Sequence, residues 1–409
     1  MKSYLIFIST LIGLFTVSPN ASSFGPQKTL PETDNISIVK FDPSGSYMAI
    51  GYASGKIEMW KINKQFNQIK WVNSSLKGRI LTLGFLVKND QMIVVNEDLG
   101  ITFLNREKGN ILKTFSVDFG RSCGSPEMVS VADFNQEKGI LAIAGNCSID
   151  VFLIRTDLMS IDTPKTRSTP YPTKLIPSNL RDPAVVNWLF SLNGELDVNN
   201  CLKISPSADF VLSGTLKGKL IKWDLNPTAK RSEIIKRNLG ADSTKAIEPA
   251  KIIHVMTNRN SREFGEIDAS QIFGIDCTDS LAISVGDASE AYGDMQIWRT
   301  CDMGMVNFIS VADPSTCAHI KLSSNSEYAV TTGDFSYRIW KNENDSFKRL
   351  CTFYFDDADE ILSDKACIDF YRYELLAIGD KQNVYFYKLP SLEFLTDIRN
   401  TNRELQRRK

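Results

Sequence analysis

Apolar residues return at roughly every second position through residues 36–60, and the alternation breaks twice. Ile36, Ile38 and Phe41 open a first run, which Asp42-Pro43-Ser44-Gly45 ends. Tyr47, Ala49 and Gly51 mark a second, and Ala53-Ser54-Gly55-Lys56 turns the chain into a third, from Ile57 to Trp60. Period two with β-branched and aromatic residues predicts strands, and clusters of Pro, Gly, Asn and Asp predict the turns between them. One such sheet has two apolar faces and cannot bury both alone. It needs neighbours of its own kind.

The pattern recurs seven times. The third run of each unit ends at an apolar anchor: Trp60, Leu104, Phe152, Trp223, Trp298, Trp340 and Tyr387. An apolar residue stands three positions earlier, as Ile57, Ile101, Ile149, Leu220, Met295, Tyr337 and Val384. Most of the spacings fit a four-stranded unit of roughly 40–45 residues. The two longer ones, Phe152 to Trp223 and Trp223 to Trp298, fit the same unit carrying insertions.

On these residues the chain resembles the WD40 family. Asp42-Pro43-Ser44-Gly45 looks like that family's first turn, and Trp223-Asp224 is its naming dipeptide. The resemblance runs over about residues 28–398 and is clearest in units one, four and six. The family's buried His–Ser/Thr–Trp–Asp network is mostly missing: the chain has two histidines, His254 and His319, and Lys61, Arg299 and Lys341 stand where Asp would follow Trp. The resemblance implies an all-β fold, a seven-bladed β-propeller of four-stranded antiparallel blades. Closing the ring removes exposed sheet ends. Either Lys28-Thr29-Leu30 or the stretch from Leu392 to Ile398 can supply the closing strand.

Charge adds little, because the formal net charge is −1 and no global field recruits nucleic acid or an acidic membrane. Residues 1–23 read as a signal peptide: Lys2 is its positive start, and Tyr4 to Val17 is uncharged and shorter than the about 20 residues a membrane span needs. Ser18-Pro19-Asn20 breaks that run, and Ala21-Ser22-Ser23 offers a cleavage site. The expectation is a secreted or periplasmic protein with no membrane contact after cleavage; an anchored or cytoplasmic chain is the alternative. Residues 24–398 then form the propeller, and 399–409 a basic tail with Arg403, Arg407, Arg408 and Lys409.

Eight cysteines, an even number, suit disulfides in an exported chain. The resemblance puts Cys123 and Cys147 on one rim of unit three, and Cys277 and Cys301 on the other rim of unit five, so each is a candidate pair. Cys201, His319 and Cys367 fall at equivalent inner-strand positions of units four, six and seven. No Cys-x-x-Cys or Cys/His cluster has metal spacing.

The insertions span about 160–199 and 238–269. The first holds Thr163-Pro164, Thr169-Pro170, Tyr171-Pro172, Ile176-Pro177 and Asp182-Pro183, and proline withholds a ladder N–H. Within it, Val185 to Leu192 is markedly apolar. It can pack on the ring or form an edge strand; alternatively Tyr171, Trp188 and Phe190 are candidate partner-binding residues. Glu233 to Lys236 reads as the outer strand of unit four, with Ile252 to Met256 as an extra strand.

Candidate chemistry is sparse. No phosphate loop or Ser nucleophile elbow occurs, and Asp356-Asp357-Ala358-Asp359-Glu360 reads as a solvated loop. The expectation is a non-enzymatic scaffold without cofactor, monomeric, binding a protein partner and no nucleic acid through its loop rims. The rival is a propeller enzyme with a metal or cofactor in the central channel. It calls for clustered acidic and Asn residues at inner-strand ends, which the repeat alignment does not clearly bring out.

Overall fold

The alternation seen in the first unit becomes four antiparallel strands, and the same sheet is built seven times. The computed structural model describes residues 34–62, 68–86, 90–98, 100–116, 131–144, 148–154, 186–193, 199–216, 218–225, 252–257, 271–289, 292–313, 317–333, 336–354, 367–372, 374–380, 383–389, 391 and 393–397. Blade one contains β1 (Ile36–Phe41), β2 (Tyr47–Tyr52), β3 (Ile57–Lys61) and β4 (Gln68–Asn73). Blade two contains β5 (Ile80–Leu86), β6 (Gln91–Asn96), β7 (Gly100–Asn105) and β8 (Ile111–Ser116). Blade three contains β9 (Val131–Asn135), β10 (Ile140–Ala144), β11 (Ser148–Ile154) and β12 (Val186–Asn193). Blade four contains β13 (Asn199–Ile204), β14 (Phe210–Thr215), β15 (Lys219–Asp224) and β16 (Ile252–Thr257). Blade five contains β17 (Ile272–Cys277), β18 (Leu281–Ser289), β19 (Tyr292–Arg299) and β20 (Met305–Asp313). Blade six contains β21 (Cys317–Leu322), β22 (Tyr328–Gly333), β23 (Ser336–Glu343) and β24 (Ser346–Tyr354). Blade seven contains β25 (Cys367–Tyr371), β26 (Leu375–Asp380), β27 (Asn383–Lys388) and β28 (Glu393–Asp397).

Every sheet runs in chain order from first to fourth strand. Neighbouring first strands touch all the way round, including β25 against β1, so they are the innermost elements of a closed ring. Seven buried apolar clusters fill the seven interfaces between blades. The fold is an all-β, seven-bladed propeller, with no helix among the described residues.

The structure resolves two open choices and changes one expectation. The outer strand of blade seven is β28, from the Leu392–Ile398 candidate, so blade seven is one continuous stretch of chain; Lys28–Leu30 lies outside the described residues. The apolar run at Val185–Leu192 is the fourth strand of blade three, with Val186, Leu189 and Leu192 buried in the clusters on its two faces. Ile252–Thr257 is the outer strand of blade four, paired with β15, rather than an extra strand; Glu233–Lys236 lies outside the described residues. Both insertions therefore break a blade between its third and fourth strands, at 155–185 and 226–251. Turn residues compete for such gaps, so an outer strand separated from its blade reads as an addition.

The first turn shows why these residues were chosen. Asp42 accepts from the Tyr47 N–H at 2.8 Å and the Ser44 hydroxyl at 2.7 Å. Gly45 sits at φ 70°, and a Cβ there would lie 2.3 Å from the ring of Tyr371 in blade seven. Left-handed backbone and close packing both require glycine.

Candidate functional site

All seven anchors occupy one row. Trp60, Leu104, Phe152, Trp223, Trp298, Trp340 and Tyr387 each stand in the third strand, opposite Met48, Met92, Leu141, Val211, Ala282, Ala329 and Leu376 of the second. In every blade the pairing of third with fourth strand slips at the anchor, so the outer strand carries a β-bulge there. Bulges increase twist locally and are placed features rather than defects. Part of the Trp network is present after all. The indole N–H of Trp223 donates to Ser213, that of Trp298 to Ser284 and that of Trp340 to Thr331, at 2.8, 3.0 and 2.9 Å.

One row along, on the innermost strands, lies an arrangement the repeat alignment did not bring out. Lys40, Gly84, Asp133, Lys203, Asp276, Lys321 and Asp369 hold the same register position in blades one to seven, each beside the residue that leads across to the anchor. Their charges alternate around the ring. Lys203 lies 3.3 Å from Asp133 and 3.5 Å from Asp276; Lys321 lies 3.5 Å from Asp276 and 3.9 Å from Asp369; Lys40 lies 3.6 Å from Asp369. An odd number of blades cannot alternate fully, and Gly84 is the neutral position. A Cβ there would meet the Phe134 ring at 2.1 Å, so the space is filled from blade three.

Each aspartate also accepts a backbone N–H from the next blade, always that of the residue after the lysine. Asp133 takes Ile204 at 2.8 Å, Asp276 takes Leu322 at 2.7 Å and Asp369 takes Phe41 at 2.9 Å. Charge-assisted bonds of this kind are among the stronger ones in a protein. Burial pushes the Asp133 and Asp276 carboxyls up, yet the lysines beside them and the backbone N–H groups outweigh it and hold both below the usual carboxylate range. For Lys203, burial is outweighed by Asp133 and Asp276, and its pKa is raised. For Lys321, burial wins over Asp276 and Asp369, and the amine is held below its ordinary value. The three acids therefore stand on inner strands as a channel enzyme would want, but separately, with their oxygens directed to lysines and amides. Among the described residues no group of three or more His, Cys, Asp or Glu is arranged to hold a metal.

Antiparallel order sends the first-to-second and third-to-fourth connections to one rim of the ring and all others to the opposite rim. The first of these rims is tied from blade to blade. Asn135 donates to the carbonyls of Ser205 and Pro206, both at 2.8 Å. The Ser207 N–H donates to Asp279 at 2.9 Å, and the Tyr371 hydroxyl to Ser44 O at 2.8 Å. The tracts 155–185 and 226–251 leave from this same rim in adjacent blades.

Of the candidate partner residues, Tyr171 lies outside the described residues. Trp188 and Phe190 are in β12, opposite Phe152 and Val151, with their side chains outside the description. Asp224 ends β15 and pairs with Phe210 across the sheet. Cys201, His319 and Cys367 do share one register position, opposite Gly214, Thr332 and Gly379.

The expected link between Cys277 and Cys301 is not formed; Cys277 is a buried free thiol and Cys301 an exposed one. Cys277 ends the first strand and Cys301 follows the third, so a whole strand lies between them. Two inter-strand spacings come to roughly 10 Å, beyond disulfide reach. Cys123 and Cys147 lie outside the described residues, as do residues 1–23 and 399–409.

No protein-family model matches the chain, and no curated protein sequence matches it.

Proposed function

We propose that this protein is a non-enzymatic interaction platform, an exported WD40-like propeller that binds a protein partner on the rim where blades three and four carry their long connections. The observation that carries the reading is that rim. Its first turns are bonded from blade to blade, which preorganises the surface, and preorganisation lowers the cost of binding. The third-to-fourth connections of blades three and four, residues 155–185 and 226–251, begin and end on it. The inner acids support the non-enzymatic part, since each already serves a lysine and an amide of the next blade. The indole–hydroxyl bonds of blades four to six support the WD40 likeness, and Lys2 with the apolar run Tyr4–Val17 supports export. Fold analogy supplies the class of partner.

Photo-cross-linking tests the rim. A probe at exposed Lys138, on this rim, is expected to capture one protein from the native extracytoplasmic fraction, and a probe at exposed Lys77, on the opposite rim, is not. Alanine at Tyr171, Trp188 and Phe190 together is expected to remove the adduct while circular dichroism stays unchanged. Equal capture at Lys77, or an adduct indifferent to the triple variant, overturns the assignment.

A further inference from the structure

We propose that Asp369 is the latch of the ring, the residue whose negative charge sets how readily blade one parts from blade seven. Around the ring, chain connection passes from each blade to the next except here. Blade seven is complete in itself through β28, so among the described residues no strand crosses this junction. The contacts described across it are side-chain packing, the hydrogen bond from the Tyr371 hydroxyl to Ser44 O, and the Asp369 clasp. The packing places Ile36, Val39, Phe41 and Trp60 against Ala377, Val384 and Phe386.

The clasp itself is the one used elsewhere. Asp369 accepts from the Phe41 N–H and faces Lys40 of β1 and Lys321 of β21, as Asp276 accepts from Leu322 and faces Lys203 and Lys321. Two differences single out the junction. The bond spans 328 residues of chain, against 46 at Asp276 and 71 at Asp133. Neutralising Asp276 also leaves each of its lysines another carboxylate, Asp133 for Lys203 and Asp369 for Lys321. Neutralising Asp369 leaves Lys40 with no adjacent carboxylate in the ring, because the next position is Gly84, and only the longer-range attraction of Asp133 beyond it remains. The charge gap and the chain gap fall on either side of blade one.

Hydrogen–deuterium exchange of the full chain tests this, comparing wild type with Asp369→Asn and Asp276→Asn. Asparagine keeps an acceptor for the amide and removes the charge. In Asp369→Asn, exchange in β1 and β25 is expected to rise at least tenfold while β13 and β14 keep wild-type rates. In Asp276→Asn, β17 and β21 change less and the seam does not respond. Unchanged β1 and β25 in Asp369→Asn, acceleration of all blades together, or an equal seam response in Asp276→Asn overturns the proposal. Should Asp369→Asn not fold, the wild type in graded urea decides: β1 and β25 are expected to open at lower urea than β17 and β21, and the reverse order overturns the latch.

Discussion

The junction between blades five and six and the junction between blades seven and one are built from the same parts but stand differently in the chain. In both, an aspartate on the inner strand of one blade accepts an N–H from the next and sits between two lysines. At blades five and six the partners are 46 residues apart, and at blades seven and one 328. For a flexible chain, loop-closure entropy makes the longer closure about 2 kcal/mol more costly. The comparison teaches that, among the described residues, this ring is closed without a shared strand, by repeating between the first and last blades a contact that is already used between neighbours. It also separates two roles of one motif, reinforcement where the chain connects and retention where it does not.

The largest effect that could break this comparison is removal of a carboxylate outright. Asp276→Ala leaves Lys203 and Lys321 facing a cavity and the Leu322 N–H without its acceptor. Removing one partner of a buried pair costs about 3–5 kcal/mol, and urea unfolding is expected to show a loss of that order. A loss below about 1 kcal/mol would mean that the ring charges are incidental, and the two junctions would then differ in nothing that matters.

Acid titration sharpens the same point. Asp133 and Asp276 are held below the ordinary carboxylate range by their lysines and backbone N–H groups, against the opposing effect of burial. A depressed folded-state pKa contributes stability that is present above the unfolded carboxylate value, about 3.9, and is lost as pH falls through the folded value. Stability against urea is therefore expected to hold from pH 7 to about 5 and to decline below about pH 4. The decline is expected to be shallower in Asp276→Asn, which has one fewer depressed carboxyl to protonate. An identical slope in the variant would show that other groups govern acid unfolding.

The fold was legible in the sequence because its signals repeat with one chemistry. Each anchor is large and apolar, and each falls in a third strand. The inner ring was not legible, for a physical reason. Its positions read Lys, Gly, Asp, Lys, Asp, Lys, Asp, and complementarity between neighbours demands that the sign change from one repeat to the next. An alignment that looks for sameness sees only variation. The signal that would have found it is a lone charge inside six of the seven apolar first strands, as in Val39-Lys40-Phe41, Ile275-Asp276-Cys277 and Ile368-Asp369-Phe370. The outer strand β16 reads as an addition, and β12 as one of two options, because long tracts precede them, which detach an edge strand from its blade in sequence though not in space.

The smallest expected effect tests whether the rim shares in holding the junction. Tyr371→Phe removes the hydroxyl that donates to Ser44 O at 2.8 Å but keeps the ring packed under Gly45. A single hydrogen bond contributes about 0.5–1.5 kcal/mol net, and this one is exposed, so a loss at the lower end is expected in urea unfolding. The counterpart at blades five and six is the Ser326 hydroxyl against Thr278 at 3.4 Å, near the limit of hydrogen-bond geometry. Ser326→Ala is accordingly expected to cost less than Tyr371→Phe. If the order were reversed, the rim would reinforce the connected junction more than the unconnected one, and retention of blade one would rest on Asp369 and the apolar packing alone.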